Sequence, residues 1–463
     1  MIKEPSSFRD PDSILEFDSK FYYRKISINY LPHYLHFKNS GLKDKLIEES
    51  YILPFEEIID ESPNIGFTNQ VLKTEKIPFI SYPYEWSFSQ LKAAAIKTLK
   101  INLIALNYGM ILKDASMFNV QFIGYKPIFI DLGSFEIYKN NSLWAGYQQF
   151  CRHFLAPLLL ASYKDFRLIK LLLVNLDGID LSFVRKLLPI KSFLNSGVFL
   201  HIILNTSGVK TTSNKKIKLK EQGLKSILVH LTDTIEKLKL KNKNSEWADY
   251  YNNTNYSDRG LLQKASIIET FIKEVNVTTA LDVGANDGKF SKLLSNSSIY
   301  TVSTDIDELA VEKNFIDALR DENDNLLSLH LNLANPTPSI GWDNTERKSF
   351  YDRAKFDLVL ALAIVHHFVI TYDLSFEMIA EKFSQIVKEL ESIVQINNID
   401  EVFNLEYFNE TLTQIGIEKY NALIGGYTSE DNKIKIKGLN EYINLYNQQQ
   451  SDKTKKIGKL KLL

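Results

Sequence analysis

Leu281-Asp282-Val283-Gly284-Ala285-Asn286-Asp287-Gly288-Lys289-Phe290 decides the fold of the second half of this 463-residue chain. An apolar strand runs into a loop with two glycines four residues apart, and the loop runs into a helix. Glycine has no Cβ, so a ligand can come close to the backbone there, and the free N–H groups of a helix start favour an anionic or polar group. Working outward, strand and helix patterns alternate. A helix at Leu261 to Val275 precedes a strand at Thr279 to Val283, and a helix at Lys289 to Ser295 precedes a strand at Ile299 to Thr304. A helix at Glu308 to Arg320 precedes a strand at Leu326 to Leu331, and a further strand, Phe356 to Ala361, ends before His366-His367. This alternation predicts βαβ units in a parallel, doubly wound sheet, whose ligands sit at the carboxyl ends of the strands.

Asp282, Gly284 and Gly288 satisfy D-x-G-x-x-x-G, and the loop lacks the G-x-G-x-x-G of a dehydrogenase-type dinucleotide site. Asp305 follows the next strand, with Asp307 as the alternative carboxylate. A carboxylate only accepts, so it suits a ligand that presents two hydroxyl donors. Asn332 follows the third strand, and Ala361 to Ile364 end the fourth. In this order and spacing the region from about Gly260 to Leu463 resembles a class I S-adenosylmethionine (SAM)-dependent methyltransferase with a Rossmann-like sheet. The resemblance implies SAM as cofactor, held by Asp282, Gly284, Asn286, Gly288, Asp305, Ile306, Asn332, Leu333 and Ala361. Within that set Asp305 would take the ribose hydroxyls and Asn332 would lie beside adenine. The bland alternative for the glycines is a tight strand–helix turn without a ligand.

Methyl transfer to a hydroxyl requires removal of a proton as the oxygen attacks, and a neutral imidazole suits that task. His366 and His367 are the candidate bases, against packing or substrate binding as their other use. Asn335-Pro336-Thr337-Pro338 and Gly341-Trp342 form a turn-rich segment that either walls a substrate pocket or is a plain surface loop.

The first half carries a second constellation. Lys113-Asp114-Ala115-Ser116-Met117-Phe118-Asn119 is followed, after a hairpin pattern at Val120 to Asp131, by Asp131-Leu132-Gly133. An Asp, an Asn five residues on and a second Asp a dozen later resemble the catalytic and metal-binding loops of protein kinases and aminoglycoside-type phosphotransferases. The resemblance implies that Asp114 orients an acceptor hydroxyl and that Asn119 and Asp131 hold magnesium for ATP. The departures are Lys113 where that family has histidine nearby and no glycine-rich loop before Ser87. Nor is a phosphate-anchoring lysine identifiable: Lys25 and Arg24 are the candidates, with Glu48 or Glu49 as partners. An Asx-turn set with no ligand is the competing account.

Around this set, Ser13 to Ile28 predicts a hairpin about Asp18-Ser19, Tyr30 to Ile59 a largely helical stretch, and Val71 to Tyr84 short strands. Ser87 to Leu112 predicts a helix capped by Ser87 or Ser89, and Leu143 to Leu204 is mostly helical. Thr206 to Gln222 and Lys241 to Asn255 are polar, linker-like stretches, with a helix from Leu224 to Leu240 between them. The boundary falls near Trp247. The organisation expected is an α+β kinase-like domain at 1–245, with a small lobe over about 1–86 and a helical lobe over about 87–245. An α/β methyltransferase domain at 246–463 follows it.

Tyr82-Pro83-Tyr84-Glu85-Trp86-Ser87-Phe88, Leu112 to Ser116, Trp144-Ala145-Gly146-Tyr147-Gln148-Gln149-Phe150 and Asn335 to Trp342 together resemble a bacterial group of SAM-dependent methyltransferases related to a nodulation protein. This implies an enzyme that modifies a small molecule or glycan. A bifunctional kinase–methyltransferase, or a methyltransferase with a non-catalytic kinase-like domain for a partner or substrate, are the alternatives.

Composition narrows the classes. Net charge is −1, from 55 Lys+Arg against 56 Asp+Glu, so no global field for nucleic acid or membrane is expected. The lysines from Lys210 to Lys220 and from Lys453 to Lys461 read as solvated surface. One cysteine, Cys151, excludes an internal disulfide framework and fits a reducing cytoplasm. Met1 to Pro5 begins no signal peptide, and the apolar run Phe154 to Leu176 is broken by Lys164, Asp165, Arg167 and Lys170, so no membrane span is expected. Oligomeric state leaves no mark on the sequence.

Overall fold

An antiparallel sheet opens the chain in the order β1-β2-β3-β5-β4, with β1 Ile2–Lys3, β2 Ser13–Phe17, β3 Phe21–Ser27, β4 Glu56–Ile59 and β5 Phe67–Glu75. This is a computed structural model that describes residues 1–206, 219–241, 258–274, 277–362, 364–396 and 419–424. The β2–β3 hairpin turns where expected, because Asp18 Oδ1 accepts the N–H of Lys20 and of Phe21, each at 2.8 Å. Between β3 and β4 lie helices α1, Leu31–Asn39, and α2, Leu42–Glu48. The helical expectation for Tyr30 to Ile59 fails at β4, a four-residue edge strand whose two glutamates hide its β character. The strand expected over Val71 to Tyr84 begins earlier, at Phe67, and stops at Glu75, ahead of Pro78.

Helix α3, Phe88–Asn107, starts at Ser87 and not at Ser89. Ser87 Oγ accepts the Gln90 N–H at 3.3 Å, and Gln90 Oε1 accepts the Ser87 N–H at 2.9 Å, which makes a capping box. Its buried face carries Leu91, Ala94, Ala95, Leu99 and Leu106. Four short strands follow: β6 Met110–Leu112, β7 Val120–Ile123, β8 Lys126–Phe129 and β9 Phe135–Ile137. β7 pairs with β8, and β6 with β9, both antiparallel. From Tyr147 to Leu204 the chain is mostly helical, with a π-helical turn at Cys151–Leu155 leading into helix α4, Ala156–Tyr163, and a second at Phe199–Leu204. Helix α5, Glu221–Glu236, packs on α3.

The second sheet is parallel throughout, in the order β12-β11-β10-β13-β14-β15. Its strands are β10 Thr279–Val283, β11 Tyr300–Asp305, β12 Leu326–His330, β13 Phe356–Leu362, β14 Val387–Ile396 and β15 Lys419–Ile424. Helix α6, Asp258–Glu274, leads into β10, and α7 Lys289–Asn296, α8 Glu308–Arg320, α9 Val365–Tyr372 and α10 Phe376–Ile386 lie in crossovers between strands. β12 is buried at every position, as expected of a strand covered on both faces. Ile268, Ala280, Phe290, Leu294, Ile299, Leu358 and Leu360 form one apolar cluster of this core. Strands β14 and β15 extend the sheet beyond those expected.

The chain forms two compact units. The first comprises Met1–Ser245 with Phe315–Asp324 and Thr337–Phe350; the second comprises Glu246–Asn314, Asn325–Pro336 and Tyr351–Leu463. Within the first unit, Thr337 Oγ1 donates to Oε1 of the fully buried Glu85 at 2.5 Å, and the Lys348 N–H donates to Tyr82 Oη at 3.1 Å. The boundary expected near Trp247, most of the polar stretch 206–222 and the terminal lysines lie outside the described residues. Among the described residues no helix is long and apolar enough to cross a membrane.

Candidate functional site

β10 carries the glycine loop to the point where the sheet order reverses, with β11 on one side and β13 on the other. This is where doubly wound sheets open a crevice. Gly284 has φ +67° and Gly288 φ +79°. The N–H groups of Gly284 and Ala285 both reach Thr304 O, at 2.9 and 3.0 Å, so the loop folds over the end of β11. Asn286, also left-handed at φ +52°, donates its N–H to Asp305 Oδ2 at 2.7 Å. A Cβ on Gly288 would lie 2.1 Å from the Asn314 side chain, and one on Gly284 2.9 Å from that of Ile364. Both glycines therefore answer to packing as well as to conformation.

Four aspartates gather here, and they divide the work. Asp282 is buried under the loop and accepts the Ser291 hydroxyl at 2.5 Å, tying β10 to α7. Burial, with the negative charge of Asp305 adding to it, pushes its carboxyl up to about 7. Asp305 accepts Asn286 N–H on one oxygen and Asp307 N–H, at 2.8 Å, on the other. Each oxygen keeps acceptor capacity. Burial raises its pKa while those two N–H groups oppose the rise. Asp307 is committed elsewhere: its Oδ1 accepts the N–H groups of Leu309 and Ala310 at 2.8 and 3.0 Å, which caps α8. Asp287 pairs with Lys313 at 2.8 Å through Oδ2, and its buried Oδ1 has no hydrogen-bond partner among the described residues.

The remaining expected positions line the same strand ends. Ile306 is exposed, and its carbonyl bonds His330 Nε2 at 2.9 Å. Asn332 follows β12, with Oδ1 accepting Ala334 N–H at 2.9 Å and Nδ2 donating to Tyr372 Oη at 2.8 Å. Leu333 and Ala361 are buried. His366 and His367 lie in the first turn of α9, just past β13. The His367 backbone N–H bonds Ile364 O at 3.0 Å and its side chain is half-buried, while the His366 side chain lies outside the described residues.

In the first unit the loop from Lys113 to Asn119 runs between β6 and β7, and Asp131 sits between β8 and β9. Asp114 accepts Ser116 N–H at 2.9 Å and takes bonds from Gln149 and Asn119. Burial, then the charge of Asp131, raises its pKa. Asn119 Nδ2 donates to Ser134 Oγ at 3.0 Å. Asp131 Oδ1 receives Arg24 Nη1 at 2.9 Å and Gly133 N–H at 3.1 Å, and its Oδ2 receives the Ser134 hydroxyl. Of the two candidate cations on β3, strand alternation sends Arg24 to this site and Lys25 to the other face, where it pairs with Glu16 at 3.2 Å and Asp60 at 3.5 Å. Glu48 and Glu49 both pair with Lys45 instead.

Comparison with known proteins places the chain. It is 33% identical to "Nodulation protein NoeA" of Rhizobium meliloti (strain 1021), over 74% of this chain and 74% of that protein. The chain belongs to the NoeA family. Among solved structures, it is similar to phosphoethanolamine N-methyltransferase 2 of Haemonchus contortus in complex with S-adenosyl-L-methionine. That likeness has 12% identity, 39% of this chain, 46% of that one and a TM-score of 0.25. It is also similar to the PH0226 protein of Pyrococcus horikoshii OT3, at 18% identity over 30% of this chain and 61% of that one, TM-score 0.23. The chain thus spans only part of the solved structures it matches. A family model described as "REC1: Alpha helical recognition lobe domain" matches residues 361–463, a stretch that contains β14 and β15 as well as helices.

In this NoeA-family chain, segments from the four stretches pair off within the first unit. Trp144 Nε1 donates to Leu112 O at 2.6 Å, Ala115 N–H donates to Gln149 Oε1 at 2.8 Å, and Thr337 bonds Glu85. The Arg347 guanidinium lies 4.3 Å over the Phe118 ring. The structure also adds a residue that sequence reading missed. His153, from the π-helical turn, presents Nδ1 to the Met117 N–H and the Ser116 hydroxyl, both at 3.3 Å. It supports the 113–119 loop from a distant part of the chain, so no local spacing announces it.

Proposed function

We propose that the second unit of this NoeA-family protein binds S-adenosylmethionine and that the protein methylates a hydroxyl of a small molecule or glycan. One observation carries this reading: Asp305, at the carboxyl end of β11, is clasped by the loop N–H of Asn286 yet keeps acceptor capacity on both oxygens. Such a carboxylate suits a vicinal pair of ribose hydroxyls. Gly284, Asn286 and Gly288 would give the backbone approach, and Ile306, Asn332, Leu333 and Ala361 the flanking walls. When bound, the cofactor supplies an electrophilic methyl group on a sulfonium centre. His366 or His367, at the start of α9 past β13, takes the proton of the acceptor hydroxyl at a ring nitrogen and hands it to solvent. Calorimetric titration with SAM tests the binding step. The expected result is binding that Gly284→Val or Asp305→Ala abolishes; heat unchanged by either substitution overturns it.

The topology of the first unit favours a second reading, a kinase-like domain. Two helices intervene between β3 and β4, the sheet order is β1-β2-β3-β5-β4, and the pairs β6–β9 and β7–β8 bracket the Asp114 loop and Asp131. In this reading Asp114 orients an acceptor, and Asn119 and Asp131 would hold magnesium-ATP. The protein is then a bifunctional kinase–methyltransferase, or a methyltransferase whose kinase-like domain binds substrate or a partner without catalysis. Phosphate release from ATP by the full chain, lost in Asp114→Ala, separates the first form from the second.

A further inference from the structure

Asp131 is the carboxylate of the first unit that a divalent cation would need, and a guanidinium already holds its charge. Oδ1 holds Arg24 Nη1 at 2.9 Å and the Gly133 N–H at 3.1 Å; Oδ2 holds the Ser134 hydroxyl. Asn119 spends its amide N–H on the same serine at 3.0 Å. Arg24 is fixed from several sides at once. Its Nη1 also donates to Ser13 Oγ at 2.6 Å and lies 3.6 Å from Asp10 Oδ2, and its Nη2 donates to Ile130 O at 3.3 Å. The Arg24 and Asp131 side chains are only 13% and 21% exposed, so water screens this pair weakly. Lys113 neutralises the neighbouring Asp12. Among the described residues no three of Asp, Glu, His and Cys gather as a metal-holding group.

Magnesium requires about six oxygen ligands in near-octahedral array and gives up water reluctantly. A carboxylate whose charge a guanidinium already neutralises, and whose Oδ1 is filled by that guanidinium and a backbone N–H, offers it only a weak ligand through Oδ2. Arginine stays charged at every working pH, so no change of pH releases the oxygen. The set Asp114, Asn119 and Asp131 therefore does not fit magnesium as it is arranged here.

We propose that Arg24 is a built-in cation that excludes a divalent metal from Asp131, so that the first unit carries out no metal-dependent phosphoryl transfer. The inference stands on the geometry of the first unit and is independent of methyl transfer in the second. Manganese titration of the full chain, followed by the electron paramagnetic resonance signal of free Mn²⁺ with and without ATP, tests it. The unmodified chain should take up no Mn²⁺ beyond that bound in a protein-free control at the same ATP concentration. Arg24→Met should bind Mn²⁺, and adding Asp131→Asn to it should abolish that binding. Should Arg24→Met fail to fold by thermal melt, Arg24→Gln, which keeps a donor for Ser13, takes its place. Mn²⁺ bound by the unmodified chain and lost on Asp131→Asn alone overturns the proposal. So does a folded Arg24→Met or Arg24→Gln chain that still binds none.

Discussion

The backbone N–H of Asn286 donates to Asp305 Oδ2 at 2.7 Å, which fastens the glycine loop to the end of the neighbouring strand. Asp305 thus shapes the loop at the carboxyl end of β11 while each of its oxygens keeps acceptor capacity. Asp305→Ala should weaken SAM binding by 100-fold or more, since hydrogen bonds to a charged group contribute roughly 1.5–3 kcal/mol each. Asp307→Ala should behave differently, lowering stability by about 1 kcal/mol through the lost cap of α8 while SAM affinity falls less. Calorimetry and denaturant melts on the two variants separate the roles.

Asp282 should make stability and binding depend on pH in opposite senses. Its folded pKa, about 7, lies above the ordinary 3.8, so the folded chain holds this proton more tightly than the unfolded one. Stability is lost as pH rises from about 4 through 7, at up to ~1.4 kcal/mol per pH unit. The difference in stability between the unmodified chain and Asp282→Asn, followed across that window, reads this term alone. A cationic ligand favours the ionised form, so SAM should bind more tightly and release protons as pH rises towards 7.

Gly288→Ala should cost about 2 kcal/mol or more. Two causes add: a left-handed φ of +79° and a side chain of Asn314 only 2.1 Å from the new Cβ. Asn314→Ala in the same chain should restore the part owed to contact and leave the part owed to φ, which a double-mutant cycle in urea measures.

His366→Ala and His367→Ala divide the candidate base from its neighbour. The base should lower kcat by about 10²–10⁴ while SAM affinity holds. Full turnover in both variants rules out an imidazole base from this pair.

Acid should loosen the first unit through His153. Burial lowers its pKa from 6.5 to about 4, so the folded chain keeps it neutral while an unfolded chain takes the proton. Stability falls as pH drops from 6.5 towards 4, at up to ~1.4 kcal/mol per pH unit. His201, lowered to about 4 by burial and by His230, contributes with the same sign. His153→Gln should reduce the slope of urea stability against pH in this window.

What the sequence made legible was local. The glycine loop, the β2–β3 turn at Asp18 and the capped start of α3 each follow from a few consecutive residues, and each lies where expected. The choice between Asp305 and Asp307 was not legible, because both are short carboxylates past one strand and only the backbone turn shows that Asp307 is spent on α8. Arg24 meets Asp131 across 107 positions and His153 meets Met117 across 36. Those partnerships are set by tertiary packing, and a single chain read in order holds no periodic signal for them. β4 failed for a different reason: two glutamates in a four-residue edge strand look like helix surface.

The membership of Thr337–Phe350 in the first unit bears on how this protein is made. A ribosome that has released residues 1–245 has not yet supplied the hydroxyl that meets the fully buried Glu85, nor the N–H that meets Tyr82. The first unit closes only after roughly a hundred more residues emerge, most of them the opening strands and helices of the second. No single cut in the chain yields a complete first unit.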